Sequence, residues 1–122
     1  MRALFRLASV GAAFTTLYHA TALAVPAFAR MAYAPTYPAW RHLLFILIDG
    51  SLIWLLWQPP VWLVWPYAVL TVQVLNGHGR LALATWYETG RVAWIDVAAA
   101  VGAPLVLALL VSDWRERRVR QA

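Results

Sequence analysis

The sequence predicts an all-α, polytopic integral membrane protein, a four-transmembrane-helix bundle that forms a single membrane domain over residues 1–122. Hydrophobic residues make up 63% of the chain, more than a soluble domain of this length can bury. They form four segments, separated by breaks rich in proline, glycine and polar residues. All ten basic residues are arginines, scattered along the chain and gathered only at the C-terminus, as the flanks of membrane helices are. This pattern argues against a nucleic-acid partner.

The first predicted span covers residues 4–25, long enough to cross a bilayer. Small residues recur every four positions and form a stripe that would let another helix approach closely. His19 lies one position from this stripe. The stripe consists of Ala8, Ala12, Thr16, Ala20 and Ala24.

A cleaved signal peptide is the alternative interpretation of this segment. Arg2 and Arg6 would form its basic region, and Ala27-Phe28-Ala29 would be a small-residue cleavage site. Arg6, Tyr18 and His19 interrupt the apolar run, which favours a retained helix.

The second predicted span, residues 40–57, carries Asp49 near its middle and His42 two turns earlier. Residues seven apart lie on nearly the same helix face, so both side chains point the same way. A carboxylate at mid-bilayer costs roughly 2.5–3.5 kcal/mol on insertion scales, so Asp49 should face protein or water rather than lipid.

The third predicted span, residues 61–75, follows Gln58-Pro59-Pro60 directly, which predicts a tight hairpin. The polar and glycine-rich stretch from Gln73 to Gly79 predicts the end of this helix. Residues 80–91 fit a short interfacial helix or a loop.

The fourth predicted span, residues 92–111, carries Asp96 near its start and a predicted kink at Gly102 and Pro104. Arg91 and Arg41 are candidate ion-pair partners for Asp96. A basic tail, residues 112–122, follows and contains four arginines. With four spans, this tail predicts that both termini are cytoplasmic in a multi-pass protein, for which we expect a bacterial inner membrane.

This topology places most polar residues of the spans in the outer half of the membrane, with Asp49 deeper. Polar residues within spans mark functional sites by default, although each also has a purely structural interpretation. We expect an outward-opening polar site built around Asp49, His42, His19 and Asp96. The other candidate residues are Gln73, Asn76 and His78.

Three functions remain open. The three histidines, His19, His42 and His78, are candidate ligands for zinc, copper or iron, and two histidines on different helices could hold a haem. Alternatively, Asp49 titrates in proton-coupled transport or a membrane-embedded acid–base reaction, with His42 relaying protons outward. The third interpretation is a non-catalytic accessory or assembly subunit of a larger membrane complex, or a homo-oligomer. The absence of cysteine excludes disulfides and thiolate metal sites.

Overall fold

The computed structural model describes residues 1–25, 27 and 38–121, and within these residues the chain is helical with no strand. Contacts between residues divide the chain into two compact units, Met1–Pro59 and Pro60–Ala122. The predicted loop residues Pro26, Arg30 and Tyr33–Tyr37 lie outside the described residues, as do Phe28 and Ala29 of the possible cleavage site.

The first unit is a hairpin of two antiparallel helices, α1 (Arg2–Ala24) and α2 (Ala39–Trp57). Both helices end at a residue that precedes a proline. Val25, before Pro26, has φ −129° and ψ 84°, and Gln58, before Pro59, has φ −139° and ψ 79°. A following proline ring disfavours helical angles at the residue before it, so the sequence itself sets both ends.

The two helices of this unit pack through buried side chains that recur with the period of a helix and so lie on one face of each. The hydroxyl of Ser9 donates to the Ile53 carbonyl at 2.7 Å, which ties the helices together at small side chains. The predicted small-residue stripe meets this face at Ala12, which is buried, but leaves it at Ala24, which is exposed. The buried side chains are Phe5, Ser9, Ala12, His19 and Ala22 on α1, with His42, Leu52 and Leu56 on α2.

The second unit is also a helical hairpin. Its first arm, the 61–89 rod, is continuous: a 3-10 turn (Val61–Leu63), α3 (Val64–Val74), a π-helical turn (Leu75–Gly79) and α4 (Arg80–Thr89). Gly90 then adopts the left-handed conformation, φ 66°, and its N–H donates to the Trp86 carbonyl. This is a common glycine C-cap. The second arm, α5, covers Trp94–Gln121.

The predicted helix stop between Gln73 and Gly79 is wrong. Val74 and Arg80, on either side of the π-helical turn, both keep right-handed helical angles. Gly77 and Gly79 do not adopt positive φ, and Gly90 is the glycine that does so among the described residues. A glycine ends a helix only where the backbone turns left-handed, so the stop lies at Gly90, and residues 80–89 form a helix rather than a loop.

The C-terminal tail extends the last helix. The helix continues past the predicted end at residue 111 to Gln121, and Pro104 lies inside it. Arg117 and Asp113 form an ion pair one turn apart at 2.7 Å, the spacing that supports a helix.

Two helices in the described part of the chain are long and apolar enough to cross a membrane. They are Ala39–Trp57, with mean hydropathy 1.5, and Trp94–Arg120, with mean hydropathy 2.2. Only 17% of each apolar window is buried, whereas the core helix of a soluble protein is mostly buried. Seven of the eight tryptophans are exposed, so aromatic surface also faces outward.

Candidate functional site: two histidine dyads

The first unit brings His19 of α1 against His42 of α2. Their Nδ1 atoms lie 3.1 Å apart, and the residues are only 7% and 6% exposed. A neutral imidazole has one N–H donor and one acceptor nitrogen. A hydrogen bond between the two Nδ1 atoms therefore requires one ring to carry its proton on Nδ1 and the other ring to carry its proton on Nε2. We call this pair the His–His dyad.

Aromatic packing holds the His–His dyad in place. Phe45, one turn after His42 on α2, stacks on the His19 ring with centroids 4.9 Å apart and planes 13° from parallel. Tyr18 meets the same ring edge-on, with centroids 5.4 Å apart. The His19 ring is thus fixed between two aromatic groups, and its free rotation is restricted.

Asp49 lies on α2 of the same hairpin, two turns after His42. It is one heptad after His42 and one before Leu56, both buried, so the three share the face of α2 that packs on α1. The register given by the Ser9–Ile53 and His19–His42 contacts places Asp49 at about the level of Ala12. Asp49 itself is half-buried. About 10 Å of helix axis separates it from His42, which is too far for a direct hydrogen bond.

The second unit brings His78 against Asp96, which we call the His–Asp dyad. The Nδ1–H of His78 donates to Oδ1 of Asp96 at 2.7 Å, a length typical of a charge-assisted bond. Asp96 is 5% exposed, whereas the side chain of His78 keeps 18% exposure. The carboxylate therefore holds Nδ1 of the imidazole, and the His78 side chain as a whole keeps partial contact with its surroundings.

The π-helical turn supplies the histidine of this dyad. His78 is its fourth residue and stands between Gly77 and Gly79. A Cβ atom on either glycine would meet nothing within 4 Å, so the space beside the His78 backbone is open. Single π-helical turns inside α-helices occur frequently at functional sites. The sequence suggests Arg91 and Arg41 as ion-pair partners for Asp96. In the structure, Asp96 pairs with His78.

Both hairpins place their dyad toward the closed end, where the chain turns. At the open end of the first hairpin, the Arg6 guanidinium lies 5.1 Å from the centroid of the Trp57 ring. At the open end of the second hairpin, the Arg118 guanidinium lies 4.5 Å from the centroid of the Trp114 ring. Each hairpin thus has a titratable pair at one end and an arginine–tryptophan pair at the other.

Two predicted site residues lie elsewhere. Gln73 and Asn76, one turn apart on the 61–89 rod, are exposed and take no part in the His–Asp dyad. Their amides instead form a small polar patch on the outer surface of the rod.

The described side chains provide polar pairs rather than a metal cluster. Among residues 1–25, 27 and 38–121, no three His, Asp or Glu side chains converge closely enough to hold a metal ion. In the same part of the chain, every buried side-chain nitrogen or oxygen has a hydrogen-bond partner. The candidate ligands His19, His42 and His78 are thus already engaged in the two dyads.

Ser9 and Phe45 are the residues that sequence reasoning missed. Phe45 could have been found from the helix period, because it lies three residues after His42 and so near the same face. Ser9 depends on the register of α1 against α2, which the sequence does not give.

No protein-family model matches the sequence, and neither the curated proteins nor the solved structures contain a significant match.

Proposed function

We propose that the chain is a multi-pass integral membrane protein whose histidine dyads bind and release protons in proton-coupled transport. The observation that carries this proposal is the His–His dyad, in which two buried ring nitrogens lie within hydrogen-bond distance of each other. One added proton would go to the free Nε2 of the donor ring and would leave the contact between the two Nδ1 atoms in place. A second added proton would put an N–H on both facing nitrogens, so full protonation would have to separate the rings and change the packing of α1 against α2.

The His–Asp dyad supports the same proposal. A carboxylate that holds one ring nitrogen orients the imidazole, so that the other nitrogen can exchange protons with its surroundings. Imidazoles exchange protons near neutral pH, and intramembrane acids and histidines commonly form proton relays. Asp49, on the helix face that holds His42, would be the deeper member of the relay in the first unit.

In the proposed topology, the chain crosses the membrane four times and both termini are cytoplasmic. The arginine-rich tail favours a cytoplasmic C-terminus, and an even number of spans returns the chain to the same side. The closed end of each hairpin then faces outward, which would open both dyads to the exterior. The arginine–tryptophan pairs at the open ends would lie near the cytoplasmic headgroups, where both residue types are enriched.

The second candidate function is an accessory subunit of a larger membrane complex or a homo-oligomer. The exposed amides of Gln73 and Asn76 favour it, because an amide facing lipid gains by hydrogen bonding to another helix. In this case the dyads would be structural. Their substitution would lower protein abundance and would leave the activity per folded molecule unchanged.

Proton flux in liposomes tests the primary proposal. The full chain is reconstituted with a pH-sensitive dye inside, and an imposed membrane potential drives proton entry. His42→Ala and Asp96→Asn are compared with the wild type and with Ser112→Ala, whose exposed hydroxyl bonds only to the Ala108 carbonyl of its own helix.

We expect wild-type and Ser112→Ala proteins to conduct protons alike, and the two dyad variants to lose at least about tenfold in rate, the low end of what a positioned acid–base group contributes. Size-exclusion profiles must show that the variants fold. Equal flux in all four proteins, or flux no greater than in empty liposomes, would show that the dyads do not carry protons.

A further inference from the structure

The last turns of α5 have two faces of different charge. Residues three and four apart share a helix face, so the side chains divide into two groups on opposite sides. We call these the paired face and the cationic face. The paired face consists of Asp113, Glu116, Arg117 and Arg120, and the cationic face consists of Trp114, Arg115 and Arg118.

Charges on the paired face cancel within the helix. Nη2 of Arg117 lies 2.7 Å from Oδ2 of Asp113. Nη2 of Arg120 lies 3.9 Å from Oε2 of Glu116, again one turn earlier. Two of the four tail arginines thus have a carboxylate partner on their own helix, although the exposed Arg120–Glu116 pair is the weaker of the two.

Charges on the cationic face are not cancelled. Arg115 and Arg118 are exposed, and no carboxylate in the described part of the chain lies within ion-pair distance of either. The Arg118 guanidinium lies over the Trp114 ring, at 4.5 Å from its centroid. Trp114 in turn meets Trp65 of the same unit edge-on, with ring centroids 6.5 Å apart.

The contact with Trp114 gives Arg118 no hydrogen-bond acceptor. The guanidinium carbon lies 4.5 Å from the centroid of the ring, and the residue is exposed. An aromatic ring attracts such a cation through its π face. Planar N–H pairs of a guanidinium match the oxygens of a phosphate. Arg118 is therefore held beside Trp114 while it remains exposed to an anion.

We propose that the cationic face binds the phosphate of an anionic phospholipid at the membrane surface, through Arg115 and Arg118. This inference rests on the proposed membrane placement, in which α5 spans the bilayer and its last turns emerge at the headgroups. The apolar helix before Trp114, with mean hydropathy 2.2, would hold the acyl chains beside the site. Two tryptophans next to the arginines suit the same boundary.

Lipid retention by native mass spectrometry tests this site. The full chain in neutral detergent is titrated with phosphatidylglycerol, and with phosphatidylcholine as the neutral comparison. The double variant Arg115→Gln/Arg118→Gln removes the cationic face. The double variant Arg117→Gln/Arg120→Gln is the matched control, since it removes the same charge from the same turns but only from the paired face.

We expect the first double variant to bind phosphatidylglycerol roughly 30-fold more weakly, from two arginines near an anionic surface, and the control to change less than about threefold. Equal losses in both double variants would mean that net charge alone attracts the lipid, and would overturn the site. Equal affinity for the two lipids, or displacement of phosphatidylglycerol by inorganic phosphate, would overturn lipid recognition.

Alkaline extraction of cell membranes separates this inference from the proposed function on which it depends. A chain released by alkali is not integral to the membrane, and both proposals fail. If the chain resists alkali, and the wild type and the Arg115→Gln/Arg118→Gln variant retain phosphatidylglycerol equally, only the lipid site is refuted. Neither double variant alters a dyad, so proton flux provides a separate measurement.

Discussion

Removal of His78 alone from the His–Asp dyad is expected to destabilise the second unit more than removal of both partners. His78→Ala leaves the Asp96 carboxylate, 5% exposed, without the N–H that lies 2.7 Å away. Removing one member of a buried pair costs about 3–5 kcal/mol, and the 18% exposure of the His78 side chain places this case near 3 kcal/mol. Asp96→Ala leaves only the partly exposed N–H of His78 without its acceptor, which should lower the free energy of unfolding by about 1–2 kcal/mol.

The double variant His78→Ala/Asp96→Ala removes both polar groups and leaves mainly a packing loss, about 2 kcal/mol in total. The sum of the two single changes is about 4–5 kcal/mol, so the cycle predicts a coupling energy of about 2–3 kcal/mol. Asp96→Asn keeps an oxygen acceptor for the His78 N–H and should cost no more than about 1 kcal/mol.

Titration of the protein from mild micelles into sodium dodecyl sulfate, followed by tryptophan fluorescence, measures these free energies of unfolding. None of the variants removes a tryptophan. Ser112→Ala serves as the control, with an expected change near zero, because its hydroxyl is exposed and bonds within its own helix. Single costs that add to the double cost within about 0.5 kcal/mol would mean that His78 and Asp96 do not interact.

Three further substitutions follow from individual contacts. Ser9→Ala should lower the free energy of unfolding by about 0.6–1.7 kcal/mol, because it deletes the hydroxyl that bonds Ile53 across the hairpin. Ser51→Ala, whose hydroxyl bonds only within its own helix, should be neutral, and equal effects of the two would refute the interhelical bond. Asp49→Asn should abolish proton flux yet change the free energy of unfolding by less than about 1 kcal/mol, because the amide keeps polar contacts. A loss of stability, with proton flux proportional to the folded fraction, would instead indicate that the carboxylate is structural. Gly90→Ala should cost about 1–2 kcal/mol in the same titration, because its φ of 66° strains any residue with a Cβ, and no measurable cost would exclude the left-handed cap.

The helix ends at prolines could be predicted because they depend on neighbouring residues alone. Pro26 and Pro59 act on the preceding residue through local steric contact, which no tertiary packing has to supply. Glycine is different, since it permits a left-handed turn without requiring one. Gly77 and Gly79 therefore resembled a helix stop in the sequence, whereas Gly90 is the residue that ends the helix.

Candidate residues of the site could be chosen from the sequence, but their partners could not. Polar residues within apolar segments can be recognised from the sequence alone, and this criterion identified both His19 and Asp96. Pairing of His19 with His42 depends on the register of one helix against the other, and that register depends on side-chain packing at positions such as Ser9. The sequence grouped four residues into one site, and the described contacts join His19 to His42 and His78 to Asp96.

The π-helical turn at Leu75–Gly79 has a geometric consequence for the rest of the 61–89 rod. A π-helical turn holds one more residue than an α-helical turn, and each α-helical residue advances the chain by about 100° around the axis. Every side chain from Arg80 to Thr89 is therefore rotated by about that angle from where an uninterrupted α-helix would direct it. Deletion of one residue between Val74 and Arg80 would restore a regular α-helix and leave the last three turns facing as they do now, whereas conversion of the π-helical turn to α-helix at constant length would turn them by about 100°.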